Sequence, residues 1–337
     1  MLNPRRDSGV SPIIGVILLL GIAFALLAVL QVVGIPAWNF DTEFDHRQDV
    51  QEDMQRFGSG VSEVGATGSP RSVVVSLGTR YPNRLILLNP SPPSGSLRST
   101  EGFVNVSNAK AVEDGVGEYW NGTDRSFSTR TVTYEPDYNY YDEAPSTVYE
   151  NGVLYDIHDG EAVFLDDSAV IDGDSINLVP LSGSVSSSQS GATTVPLVPV
   201  STARRTVTVS NSTDQGLSFE LDSRLSADDW DGILDDEPHV ENVSETADGV
   251  EIELEAGVTY DLRMAEVGLD RSRSLEPRYI VRASPRVVTA PADGPVTLVA
   301  EVRDELNNPV SGAEVEADGG TLTTGSDGRV EFEYDGT

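Results

Sequence analysis

The sequence predicts a mainly β protein carried on one long N-terminal α-helix of transmembrane type, with an antiparallel β-rich ectodomain followed by a smaller β unit. Three features of the 337 residues carry that prediction. Residues Ile13 to Ile35 form a run of 23 without a charge. From Arg71 onward, short stretches rich in β-branched and aromatic residues alternate with Gly, Pro, Asn and Asp, the texture of strands and turns. The last 50 or so residues repeat that texture after a break of their own.

Charge and composition narrow the setting. Acidic residues number 55 and basic ones 22, a net charge of -33 that repels phosphate backbones and excludes nucleic acid as a partner. Lys110 is the only lysine, and the acidic residues are spread along the chain rather than gathered in a tail. That distribution points to a halophilic protein whose self-repulsion is screened by molar salt. With no cysteine, disulfides, thiolate metal sites and cysteine nucleophiles are all excluded.

The apolar run comes first. A helix of 23 residues is about 34 Å long and spans a hydrocarbon core of about 30 Å. Sixteen of its residues are Ile, Leu, Val or Phe, which favours insertion by roughly 5 kcal/mol or more. Ser11 and Pro12 read as its start, a hydroxyl to cap the first amides and a ring whose φ is already helical. Pro36 is expected to bend or end the rod, with Trp38 and Phe40 as an aromatic belt. Arg5 and Arg6 before the run place the N-terminus in the cytoplasm and the remainder outside. A secretory signal fits less well, since its apolar region is shorter and ends at a small-residue cleavage site.

The stretch Gly9 to Ala23, "GVSPIIGVILLLGIA", with Ser8 before it, resembles the N-terminal segment of haloarchaeal type IV pilins. The resemblance covers about the first 40 residues. It implies a leader over residues 1–9, cut between Gly9 and Val10 by a prepilin peptidase, and a helix that stays on the mature protein. Its partners would be the lipid bilayer and other pilin subunits or surface proteins. Ile14 stands where bacterial pilins carry a glutamate, so no intramembrane charge sets subunit register.

Beyond the run, Phe40, Phe44, Met54 and Phe57 recur at near-helical spacing, extending the spine to residue 57. Gly58 to Pro70 is glycine-rich and polar and reads as a linker. Residues 71–270 are assigned to the ectodomain, with strands at "SVVVSL", "NRLILLN", "RTVTY", "EAVFLD", "SINLVPL", "RRTVTVSN", "LSFELD", "GVEIELE" and "VTYDLRM". Asn151-Gly152 inside "STVYENGVLYDI" marks a hairpin. Residues 183–196 read as an exposed flexible loop, and "SADDWDGIL" as a short helix capped by Ser226 with Trp230 and Leu234 on one face.

Residues 271–284 read as a connector. In 285–337, Val296-Thr297-Leu298, Val302-Arg303-Asp304, Asn308-Pro309-Val310-Ser311-Gly312, Gly320, Thr324 and Asp327-Gly328 resemble the Big-1 type of bacterial Ig-like module found in invasins. That resemblance implies a partial β-sandwich, shorter than the usual 100 or so residues, with an edge open to strand addition.

No catalytic, cofactor or metal motif was found. His46, His158 and His239 lie in separate segments and read as exposed polar residues; the acid clusters at Asp166 to Asp174 and Asp228 to Asp236 read as a solvated face. Asn105, Asn121, Asn211 and Asn242 stand in Asn-x-Ser/Thr frames, candidates for N-glycosylation on the outer side. The expected function is a pilin-like or adhesin-like structural protein at the cell surface. The alternatives are an anchored surface protein with an Ig-like stalk that is never processed, and a tethered secreted hydrolase using paired carboxylates.

Overall fold

The computed structural model describes residues 11–167, 170–211, 216–270, 275–285, 295–317 and 320–334. It is mainly β, with one long apolar helix at the N-terminal end. Helix α1 (Ser11–Val29) passes through a π-helical turn (Leu30–Gly34) into helix α2 (Ile35–Thr67) without a break. Pro36 therefore does not end the rod. A proline in an α-helix collides with the carbonyl four residues back, and one wide turn just before it, with Ile35 N–H bonded to the Leu30 carbonyl, relieves that crowding.

The helix also runs through the glycine-rich stretch expected to be a linker, and stops only at Gly68, whose φ of 71° supplies the left-handed cap. The reason is packing. A Cβ on Gly60 would stand 2.8 Å from Leu197 Cδ1, and one on Gly65 would stand 3.1 Å from Ala265 Cβ. These glycines lie on the face pressed against a four-stranded sheet of Arg71–Ser76, Ala192–Ser201, Glu266–Gly268 and Leu181–Ser182. Glycine at 58, 60 and 65 costs the helix about 3 kcal/mol in propensity. Burial of Val50, Met54, Phe57, Val61 and Val64, all 0% exposed, contributes a gross 10 kcal/mol or so and outweighs it.

The other wall of this core comes from a nine-stranded sheet. Its longest strand, Ser94–Ser107, pairs with Arg125–Asp137 from Ser94 opposite Asp137 to Val106 opposite Arg125. Further along, the same sheet covers a second core with Trp120, Phe219, Trp230 and Tyr260, closed by a five-stranded sheet that includes Thr206–Ser210 and Thr259–Met264. Among the described residues pairing is antiparallel except for two short parallel ladders, Leu181–Ser182 on Glu266–Gly268 and Ser175–Leu178 on Thr259–Met264.

The Asn151-Gly152 hairpin is present, both residues at positive φ (47° and 87°) between Glu150 and Val153. So is helix α3 (Ala227–Ile233), with Ser226 and Asp229 in a reciprocal capping box. Two further expectations are corrected. "NRLILLN" is a loop, not a strand. The expected loop at 183–196 contains the strand Ser186–Gln189, added to Ser94–Ser107, and the start of Ala192–Ser201.

The C-terminal region holds a three-stranded sheet (Tyr279–Arg282, Val296–Arg303, Arg329–Tyr334) and a two-stranded one (Glu314–Ala317, Gly320–Thr323) around a small core of Ala300, Val302, Val310, Ala313, Val315 and Val330. The expected connector supplies the edge strand Tyr279–Arg282, and Val281 and Leu306 are buried in the second ectodomain core. Polar contacts fix this joint. Ser201 donates to Asp304 (2.6 Å), Asn308 donates to the Met264 carbonyl (2.7 Å), and Arg205 forks onto Glu301 (3.0 and 2.9 Å). Glu301 also accepts from Arg303 and Arg329. Burial raises its pKa, but the three guanidinium groups outweigh that and hold it at about 2.

Two outcomes follow in equilibrium denaturation of the full chain. Gly60→Val and Gly65→Val lose about 2 kcal/mol or more by overpacking, whereas Gly232→Ala in α3, with open space at its Cβ, gains about 0.5 kcal/mol. The contribution of Glu301 is complete above its unfolded pKa near 4.5 and is lost as the pH falls toward about 2, so Glu301→Gln flattens the stability profile across that window.

Candidate functional site

The apolar half of the helical rod and its junction with the β-rich part form the candidate site. Gly9 and Val10 lie outside the described residues. Ser11 is the first residue of α1; its side chain and that of Pro12 are likewise outside the described residues. From Ile13 onward α1 is bare. Ile13, Val16, Ile17, Leu19 and Phe24 are each over 60% exposed, and a window of the helix reaches a mean hydropathy of 3.1. Ile35, the expected outer end of the span, is instead buried at 1%. The change of surroundings therefore takes place within the π-helical turn.

Below it the buried face of α2 is polar for two turns. Asn39, Glu43 and His46 are buried at spacings of four and three, one stripe of the helix. Glu43 accepts from three consecutive backbone amides, Asn139 (2.9 Å), Tyr140 (2.9 Å) and Tyr141 (2.8 Å), and from the Tyr81 hydroxyl. Four donors saturate the carboxylate, which makes it a clasp rather than a base. Burial first, and Glu43 second, push the Tyr81 phenol up.

His46 Nδ1 lies 2.7 Å from the Tyr138 hydroxyl, and burial lowers its pKa against the pull of Asp49, Asp53 and Glu43. It is not the exposed residue that the sequence predicts. Arg47 pairs with buried Asp156, which also accepts from Gln51 (2.7 Å) and Thr147 (2.7 Å). Arg84 stands over the Trp38 ring at 5.2 Å and donates to Asn39 (3.0 Å).

Phe40 and Phe44, expected on the buried stripe with Met54 and Phe57, sit on its flank at 40% and 38% exposure against Tyr141. Sequence reasoning missed Glu43, Arg47, Arg84 and Tyr138 to Tyr141. The tyrosine-rich "PDYNYYDE" and the helical spacing of Asn39, Glu43 and His46 were the available signals.

The other expected residues are scattered. Asn121 and Asn242 are exposed, whereas Asn105 is half-buried mid-strand, donating to Glu220 (2.8 Å), and Asn211 is half-buried and accepts from Gly257 N–H (2.8 Å). His158 lies beside Asp159, and His239 between Asp174 (3.1 Å) and Glu255 (2.9 Å). Among the described residues, no group of three His, Cys, Asp or Glu is placed to hold a metal. A cavity of about 500 Å³ lies between the C-terminal end of α2 and the sheets, lined in part by Ser62, Tyr149, Asn151, Pro180 and Arg263.

Removing the clasp tests its weight. Glu43→Ala leaves three amides and a phenol without their acceptor and is expected to cost about 3 kcal/mol or more, with Glu43→Gln intermediate, measured by denaturation of the detergent-solubilised chain.

No family model and no solved structure matches the chain. It is similar to an uncharacterized protein of Archaeoglobus fulgidus, at 25% identity over 318 residues, which covers 91% of this chain. The chain spans about half the length, 52%, of that curated relative.

Proposed function

We propose that this chain is a pilin-like or adhesin-like structural protein of the cell surface, held by its N-terminal helix in a membrane or in the core of a filament. One observation carries the reading: a single unbroken rod is apolar and bare in its first half and forms the ectodomain's core in its second. A plain tether needs no such continuity. A rod shared by both halves transmits load from the ectodomain to whatever surrounds the apolar end. The resemblance of "GVSPIIGVILLLGIA" to haloarchaeal pilins supports retention of the helix after removal of residues 1–9. In this reading the partners are lipid, a prepilin peptidase and neighbouring subunits, and the role is structural rather than enzymatic.

N-terminal sequencing of the chain recovered from membranes or filaments decides it. The expected start is Val10, with Gly9→Leu retaining Met1. A wild-type start at Met1 overturns the pilin reading in favour of a permanent anchor. A start beyond Gly34 overturns both, because the apolar half would be gone.

A further inference from the structure

The "NRLILLN" loop ends up beside the apolar helix with its side chains turned outward. Leu85, Ile86 and Leu88 are 105%, 75% and 79% exposed. The loop itself is fastened. Arg84 donates to Asn89 and Asn39, and Asn89 donates to the Pro82 carbonyl (2.8 Å). Gln31 then grips Leu88 from the helix, donating to its carbonyl (2.8 Å) and accepting from its amide (3.0 Å). Gln31 is the only residue between Ile13 and Ile35 whose side chain forms hydrogen bonds of this kind.

Depth follows from counting. Ile13 to Leu30 is 18 residues, about 27 Å of helix, close to the thickness of a hydrocarbon core of about 30 Å. Gln31 therefore lies at the outer boundary of the hydrocarbon, and the loop lies level with it.

We propose that the Pro82–Asn89 loop is a second membrane attachment, in which Leu85, Ile86 and Leu88 enter the outer leaflet of the bilayer that the helix spans. This rests on the helix spanning a bilayer. Gln31 supplies both backbone partners for Leu88, and Pro82 and Pro90 carry no N–H, so the loop is held at the boundary with its apolar side chains, rather than its backbone, directed into the lipid. Arg84, over Trp38, stands where a cation meets headgroup phosphates, and the aromatic ring marks the same interface. The ectodomain is thereby fixed in tilt and rotation on the membrane rather than swinging on one rod.

The chain has no cysteine, so single cysteines at two exposed positions, Ile86→Cys in the loop and Val29→Cys in the helix, take an environment-sensitive fluorophore cleanly. Full-length protein is reconstituted in vesicles of phosphatidylcholine and phosphatidylglycerol, with and without a nitroxide high on the acyl chain. Both probes are expected to lose roughly half their intensity to the nitroxide, as groups seated about 5–10 Å into the boundary do. Quenching at Val29 with none at Ile86 overturns the proposal and leaves the anchor standing; quenching at neither removes the anchor and the proposal with it. Shielding at Ile86 that grows with the protein-to-lipid ratio and ignores the nitroxide identifies a second copy of the chain as occupant, and also overturns it. Gln31→Leu is expected to reduce quenching at Ile86 about twofold while sparing Val29; no change at Ile86 overturns the role given to Gln31.

Discussion

The structure depends on the close seating of α2 against its sheet. One helix has to be uncovered along Ile13 to Leu30 and buried along one face from Val50 to Val64, and the two halves differ in what satisfies their surfaces. In the first half the side chains are apolar and the backbone bonds are internal, which suits lipid or a packed fibre. In the second half glycines bring the backbone close enough for Leu197, Val179 and Ala265 to touch it, and that contact converts a surface helix into a core element. Between them lie Asn39, Glu43 and His46, polar groups buried between the bare apolar stretch and the apolar core. Their partners come from two segments, Tyr81 and Arg84 in one and Tyr138 to Tyr141 in the other, so the clasp forms only when both have folded against the rod.

A chain with so few basic residues uses several of them at joints. Arg47 ties α2 to Asp156, Arg84 ties the "NRLILLN" loop to the helix, and Arg205, Arg303 and Arg329 converge on Glu301 at the seam with the C-terminal region. Planar guanidinium groups suit this work because they bond two oxygens at once and remain charged at any relevant pH. Pairs whose carboxylate is buried are also screened less by salt than surface pairs. The acidic excess elsewhere is solvated and adds repulsion, which leaves the few enclosed pairs to hold elements in place.

What was legible in the sequence was local. Asn151-Gly152 and Ser226 with Asp229 state their conformations within four residues, because positive φ and an orphan amide are short-range problems. The apolar run declares itself by length. The errors came where a distant partner decides. Gly58, Gly60 and Gly65 look like punctuation until Tyr149, Leu197 and Ala265, far along the chain, supply the contacts that reward them in turn. "NRLILLN" has the residue types of a strand, but it is fastened by Gln31 and Arg84 into a loop. Ser94–Ser107, the longest strand, was missed because Ser, Gly, Arg and Glu dominate it and its apolar neighbours are supplied by other strands. The clasp on Glu43 was invisible for the same reason: an acidic residue on an amphipathic helix is ordinarily solvated.

The C-terminal region combines a small core of its own with a docked seam. Among the described residues the interior of this region consists of Ala300, Val302, Val310, Ala313, Val315 and Val330, with Leu275, Leu322 and Phe332 packed against them. A seam joins it to the ectodomain, where Val281 and Leu306 enter the larger core, Tyr279 stacks on Tyr119 with ring centroids 4.6 Å apart, and Asp304 and Asn308 bond across to Ser201, Arg204 and Met264. A stalk of independent modules strung on a connector would need each module to stand alone. Here Tyr279–Arg282 is at once part of the connection and an edge strand, so this region and the ectodomain share one element rather than meeting across a free linker.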